Sequence, residues 1–415
     1  MNTGIVKFKA CGIALMGKAL VAGMVTFGGM SQPVEAATAD AQFRQYLVNL
    51  CNYTGNIPAN WDIAMLDSMC QATVFSGSFS SGGGSVSSSS NVGVSAIGEG
   101  PRKKKYRVSL DGQDGKATQG ASADNRGWGL LLTPQYSSNT RVETELENGY
   151  QSDLNGLVVG LDYRFGDNLV LGATVGKTSD KSTYLRNAGV LKTTNNSVVL
   201  YGTWVPGSAF SIDGYLGYAK LNLDNQRNVD IALVQGVING STSGSQRMAG
   251  MSASYQHDAG RYSVAPFLSL DFIKTGLREY TETGSTVMQG LVNIGTSTLA
   301  LRHFERSRTS FTSSLGMRFG ASSTHDWGVL EPSVRFAAVH EFKNKPQQIN
   351  NELVSSPGYG MSLQTDALDC NYLNLGVGMA AALDNGVLLF FDFDKRAKDQ
   401  LLSNWSVSVG GVVEF

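Results

Sequence analysis

The run NGLVVGLDYRFGDNLVLGATVG, Asn155–Gly176, decides the fold. Successive side chains of a strand point to opposite faces. Leu157, Val159, Leu161, Tyr163 and Phe165 therefore share one face, and Val158, Gly160, Asp162 and Arg164 the other. Gly166-Asp167-Asn168 turns the chain, and the alternation resumes over Leu169 to Lys177. One face is apolar and uncharged; the other carries glycine and charge. Such a strand suits lipid on one side and water on the other.

The final residues repeat the pattern. Trp405, Val407, Val409, Gly411, Val413 and Phe415 alternate with Ser406, Ser408, Gly410, Val412 and Glu414. Similar alternation occupies Val264 to Phe272, Leu315 to Phe319, Leu330 to Ala338 and Val387 to Asp394. These segments imply strands of roughly ten to fifteen residues, where a soluble sandwich or solenoid uses about five or six. Glycines on the polar face are expected to leave lumen space.

Working outward, the connections alternate in length. Short turns fall at Gly166-Asp167-Asn168, Pro206-Gly207-Ser208, His257 to Gly260, Ala321 to Asp326 and Asp384-Asn385-Gly386. Longer polar links fall at Ser137 to Tyr150, Ser179 to Val190, Asp224 to Gly244, Tyr280 to Glu305 and Lys343 to Asp369, with a shorter one at Lys395 to Gln400. Short periplasmic turns and long extracellular loops give this asymmetry in outer-membrane barrels. The expected fold is all-β: an antiparallel transmembrane barrel of about twelve strands, preceded by a small N-terminal region and a Gly/Ser linker. Trp128, Tyr136, Tyr163, Phe165, Trp204, Phe319, Trp327 and Trp405 fall near strand ends, where an interfacial girdle belongs.

Composition agrees. The 415 residues carry a net charge of −1, which gives no electrostatic reason for a nucleic-acid partner. There are 49 Gly, 9 Pro and 16% charged residues. The mean hydropathy of −0.10 excludes a bundle of membrane helices.

Residues 1–36 read as a signal peptide: Lys7, Lys9 and Lys18, then the apolar run Ala19 to Met30, then Val34-Glu35-Ala36 as the cleavage site. Cys11 would leave with it. Residues 37–75 form a small passenger-like region. Phe43, Tyr46, Leu47 and Leu50 fall at helical spacing, and Ile63, Leu66 and Met69 do so again. A helical hairpin with Cys51 and Cys70 at its ends, or a disordered leader, are the two readings. Cys51 and Cys70 are disulfide candidates in an oxidising compartment, and Cys370 has no evident partner. Residues 76–125 are a linker, with a Gly/Ser stretch to Asn91 and a basic run at Arg102, Lys103, Lys104 and Lys105. The barrel occupies 126–415.

The blocks GWGLLLTPQY, NGLVVGLDYRFGDNLVLGATVG, VVLYGTW, SIDGYLGY, APFLSLDF, SSLGMRFG, LEPSVRFAAVHEF and WSVSVGGVVEF, in this order, resemble the autotransporter β-domain family, the translocator barrel of type V secretion. The resemblance covers about Asn125 to Phe415. It implies a twelve-stranded outer-membrane barrel that anchors its N-terminal region and takes part in exporting it. It also implies a barrel-assembly signal in the last strand, here Trp405, Val407, Val409, Val413 and Phe415. Outer-membrane lipid and the secretion and barrel-assembly machinery are the expected partners, with a monomeric barrel. The sequence departs from the family in its short N-terminal region and in lacking helical periodicity just before the first strand.

Two other function classes are compatible with the sequence. A passive pore or structural barrel with a periplasmic tail would need no exported segment. A hydrolase would need a His with Ser or Asp at the outer rim. His257-Asp258 and His325-Asp326 fall in expected periplasmic turns, and His303 and His340 lie near the outer rim without a motif. No catalytic, cofactor or metal residue is assigned, and no enzyme activity is expected. Asp162, Asp213, Asp271, Glu331, Asp392 and Asp394 are expected to face the lumen with Arg164, Arg318 and Arg335. Arg102 to Lys105 would meet some of those carboxylates as a lumen plug.

Overall fold

The computed structural model describes residues 39–53, 55, 57–62, 126–166, 168–207, 209–231, 234–288 and 299–415. The expected signal peptide, the stretch Ile63 to Met69, Cys70 and the linker with Arg102 to Lys105 lie outside the described residues.

Among the described residues one α-helix, α1 (Ala39–Cys51), precedes the strands. The strands are β1 (Arg126–Arg141), β2 (Tyr150–Phe165), β3 (Leu169–Tyr184), β4 (Gly189–Trp204), β5 (Phe210–Ile231), β6 (Val234–Tyr255), β7 (His257–Ala259), β8 (Tyr262–Leu277), β9 (Tyr280–Thr281) and β10 (Thr283–Met288). There follow β11 (Leu301–His303), β12 (Arg306–Ala321), β13 (Ser323–His325), β14 (Gly328–Glu341), β15 (Gln348–Leu353), β16 (Gly360–Gln364), β17 (Asn371–Leu383), β18 (Val387–Ala397) and β19 (Leu402–Glu414).

The wall is β1 to β6, β8, β12, β14, β17, β18 and β19, twelve strands paired antiparallel with their neighbours in chain order. β1 pairs with β19 from Gly129↔Glu414 to Arg141↔Leu402, so the wall closes on itself. Closure satisfies every strand edge inside a bilayer, where water cannot. β7 and β13 are short strands at the turn end, paired with β8 and β14. At the other end β10 adds to β6, and β9, β11, β15 and β16 form a separate four-stranded sheet.

The alternation works as expected. Leu130, Leu161, Leu200, Leu268 and Met379 are exposed on the outer face, while Thr133, Asp162, Thr174 and Asp213 are buried on the inner one. Trp128, Phe165, Trp204, Phe319 and Trp327 stand exposed towards the short-turn end. Trp128 meets Tyr163 edge-on, with ring centroids 5.0 Å apart. Tyr136 and Trp405 pair at the opposite side of the apolar belt.

Two expectations are corrected. The link Asp224 to Gly244 is mostly strand, because the β5–β6 ladder continues unbroken from Phe210↔Tyr255 to Ile231↔Val234. Likewise Ser137 to Arg141 and Ser179 to Tyr184 belong to β1 and β3. Beyond the bilayer the outer face no longer needs apolar residues, so Asp224 and Gln226 read as loop, while Leu221, Leu223 and Val229 still bury on the inner side. Inner glycines also do more than leave space. Tyr201 lies opposite Gly172, Tyr215 opposite Gly250, Phe267 opposite Gly316 and Phe390 opposite Gly410. A Cβ at Gly250 would sit 2.2 Å from the Tyr215 ring, and one at Gly410 2.3 Å from Phe390. Each glycine is the seat of a cross-strand ring.

Candidate functional site

The inner wall is polar and internally bonded. The Tyr201 hydroxyl donates to Asp162 at 2.6 Å, and Tyr215 donates to Asp271 at 2.8 Å. Thr203 and Ser252 donate to the two oxygens of Asp213 at 2.8 and 3.2 Å. Arg335 pairs with Asp394 at 2.5 Å, and Arg164 with Glu414 at 2.8 Å. Glu331, Asp392 and Arg318 fall on the same face by the alternation of burial. The structure thus places the sequence-named charges on one inner surface, where carboxylates outnumber guanidiniums.

Above the wall, at the long-loop end, lies a second core that the sequence did not announce. Phe43, Tyr46, Leu47 and Leu50 of α1 and the following Trp61 are buried with Val229, Ile238, Leu301, Ile349, Leu353, Met361 and Leu363. Two of these come from the projecting β5–β6 hairpin, and the last five from β11, β15 and β16. The helical spacing of Phe43, Tyr46, Leu47 and Leu50 gives α1 one apolar face, and that face is what docks. The Tyr46 hydroxyl donates to the Tyr359 carbonyl at 2.8 Å, and the Trp61 indole N–H donates to the Pro357 carbonyl at 3.1 Å. Tyr53, Trp61 and Tyr359 form an aromatic cluster with centroids 5.3 to 5.8 Å apart. Burial pushes the Tyr46 hydroxyl's pKa up.

Ion pairs fasten this cap to the barrel. Arg227 of β5 and Glu282, between β9 and β10, are 0% and 1% exposed. The guanidinium meets both Glu282 oxygens, at 2.5 and 3.3 Å, and donates to the Leu299 carbonyl at 2.7 Å. Leu301 N–H donates to Glu282 at 3.0 Å, and His303 Nε2 stands 3.2 Å from the same carboxylate. Burial alone would raise the Glu282 carboxyl; the Arg227 and His303 groups overcome it and hold the carboxyl at about 2. His303 stacks on Tyr280, which burial pushes up to about 12. A second cluster joins the β1–β2 loop to the β16–β17 loop: Arg141 pairs with Glu147 and Asp366, and Thr144 donates to Asp366 at 2.6 Å.

The histidines are held in separate settings. His303 lies buried in this cluster. His325 lies parallel to Trp327, with centroids 5.1 Å apart and Ser323 Oγ at 3.0 Å. His340 contacts Asn371 at 2.8 Å. Gln256 donates to Asp258, and His257 beside it is exposed. Among the described residues no cluster of three or more His, Cys, Asp or Glu is arranged to hold a metal.

Cys51 and Cys370 are both disulfide-bonded, and Cys51 packs against the cap core. Cys370, for which the sequence offers no evident partner, is thus one half of a disulfide. Cys70 lies outside the described residues. At the seam, Phe415 and Trp128 exchange backbone hydrogen bonds of 3.0 Å. Val409, Val413 and Phe415 are exposed on the outer face.

The autotransporter beta-domain family profile matches residues 130–394. The chain belongs to the autotransporter β-domain family. It is similar to Outer membrane protein B of Rickettsia conorii, 27% identical over 184 residues, covering 41% of this chain and 11% of that protein. Outer membrane protein B of Rickettsia rickettsii is 28% identical over 182 residues, again 41% and 11%. The chain thus matches only about a tenth of the length of these curated relatives. Among solved structures, the translocator domain of the autotransporter NalP from Neisseria meningitidis superposes with a TM-score of 0.52 at 16% identity. The superposition covers 76% of this chain and 95% of that one, and shows the shared fold. The autotransporter β-domain described here is a bacterial outer-membrane barrel.

Proposed function

We propose that the barrel exports its own N-terminal region and holds it at the cell surface as part of a folded cap. One observation carries this reading. α1 is buried in the cap at the long-loop end, whereas β1 begins at Arg126, at the short-turn end. Residues 63–125 must link the two ends. At about 3.3 Å per residue they can span about 200 Å, far more than a hydrocarbon core of roughly 30 Å. The aqueous route between the ends is the lumen, and its wall is rich in carboxylates. Arg102 to Lys105 match that wall in charge, so the same segment plugs the pore. Long loops face outward in barrels of this class, which supports a cap on the outside of the cell. The barrel acts alone as a monomer, without catalysis, and its partners are lipid and the assembly machinery.

An epitope tag inserted after Thr38 tests the display. Protease added to intact cells should remove the tag and spare the barrel. A tag protected until the outer membrane is permeabilised would overturn the reading. Deleting Gly100 to Lys116 should raise single-channel conductance in planar bilayers. An intact protein that conducts as freely as the deletion would favour a simple pore.

A further inference from the structure

The outer wall carries a charge asymmetry that neither closure nor export requires. On β3, β5, β6 and β8, the first charged outward residue met on leaving the apolar belt is Lys177, Lys220, Arg247 and Lys274 respectively. All four are exposed. Register makes them contiguous. Arg247 stands directly opposite Lys274. Lys220 faces Ser245, one diagonal step from Arg247, and Asn196 lies between Lys177 and Lys220. Directly opposed outward residues lie about 5 Å apart and diagonal ones about 7–8 Å. Their other cross-strand neighbours are Leu157, Tyr218 and Thr309, so no carboxylate is in register. Among the described residues none of the four has an ion-pair partner.

The next row differs. Lys181 and Lys192 face one another, but each also faces a carboxylate, Asp153 and Asp224 respectively. At the line where apolar wall gives way to polar, by contrast, no facing carboxylate offsets the four basic residues. On the opposite side of the barrel the corresponding position of β18 holds Lys395, which donates to Ser403 at 2.9 Å, while β14 and β17 show His340 and Asn371. Like charges directly opposed on a sheet are destabilising unless an anion sits between them. The exposed Tyr218 ring beside Arg247 and the exposed Phe272, Leu270 and Leu268 below Lys274 supply the apolar surface that acyl chains would cover.

We propose that Lys177, Lys220, Arg247 and Lys274 form a binding site for the phosphate headgroup of a lipid in the leaflet at the long-loop end. The lysines and arginine would donate charge-assisted hydrogen bonds to phosphate oxygens, and the acyl chains would lie on β6 and β8. The site marks one side of the barrel, so it would also fix which wall faces bound anionic lipid.

Native mass spectrometry of the purified full-length protein tests this, with phosphatidate as probe and phosphatidylcholine as reference. The unaltered protein should retain phosphatidate adducts after delipidation. The variant K177Q/K220Q/R247Q/K274Q should retain them at least roughly tenfold less, and K395Q should behave like the unaltered protein. Heat-modifiable gel mobility confirms that each barrel is folded. Should the fourfold variant fail to fold, R247Q/K274Q replaces it, with a loss of about fivefold or more expected. Equal adducts in the variant and the unaltered protein, or equal retention of phosphatidylcholine, would overturn the proposal.

Discussion

The hydroxyl of Tyr46 donates to the carbonyl of Tyr359, so the N-terminal helix is written into the same folded unit as the loops of the barrel. A helix of thirteen residues is marginal alone in water, and its stability must come from the face it buries. Replacing fully buried Phe43 by alanine should weaken docking by roughly 3–5 kcal/mol. Hydrogen exchange over residues 39–51 should accelerate while the wall strands stay protected. Unchanged exchange would mean that α1 is held by something other than this core.

Removing half of the Arg227–Glu282 pair should cost more than removing both halves. Glu282→Gln leaves a buried guanidinium uncompensated, worth about 3–5 kcal/mol of cap stability. The pair also sets an acid limit. Glu282 is held at about 2 against an ordinary 4.5. Its contribution is therefore fully present above about pH 4.5 and is lost as pH falls towards 2. Limited proteolysis across that window should cut the segment between β9 and β11 before the barrel unfolds. In E282Q this acid step should vanish and cleavage should already occur at neutral pH.

Gly250→Ala should destabilise the wall although alanine suits a strand better than glycine. The new Cβ would meet the Tyr215 ring at 2.2 Å, and displacing the ring also disturbs its bond to Asp271. A loss of about 1–3 kcal/mol is expected, read as a lower temperature for the gel-mobility shift. Gly276→Ala, where a Cβ meets nothing within 4 Å, should change little and serves as the comparison.

Deleting Phe415 should lower the fraction of folded barrel in the outer-membrane fraction severalfold. The deletion removes a pair of backbone bonds to Trp128 and an aromatic ring that is 73% exposed. Phe415→Trp should restore assembly, since it keeps both. Full assembly of the deletion would show that the last strand is read without its terminal residue.

The wall was legible because its signal is local. Leu157 to Phe165 declares a strand and its lipid face within nine residues, and twelve such segments leave little choice of architecture. The cap was not legible. Arg227, Glu282 and His303 lie in what reads as polar loop, and only the pairing of β10 with β6 and of β11 with β9 brings them together. The helical spacing of Phe43, Tyr46, Leu47 and Leu50 did show an apolar face, but its counterpart comes from β5, β6, β11, β15 and β16. The Lys177 to Lys274 patch needed register, because its members are spread over four strands.

The seam between β1 and β19 has a consequence in time as well as in space. Gly129 pairs with Asp162 on one edge and with Glu414 on the other, so the second edge of β1 is satisfied only by the end of the barrel sequence. Without the final strand, β1 and β18 each keep a bare edge, a template for another chain. The edge of β1 that meets β19 therefore stays open until the last strand arrives, however early β1 pairs with β2.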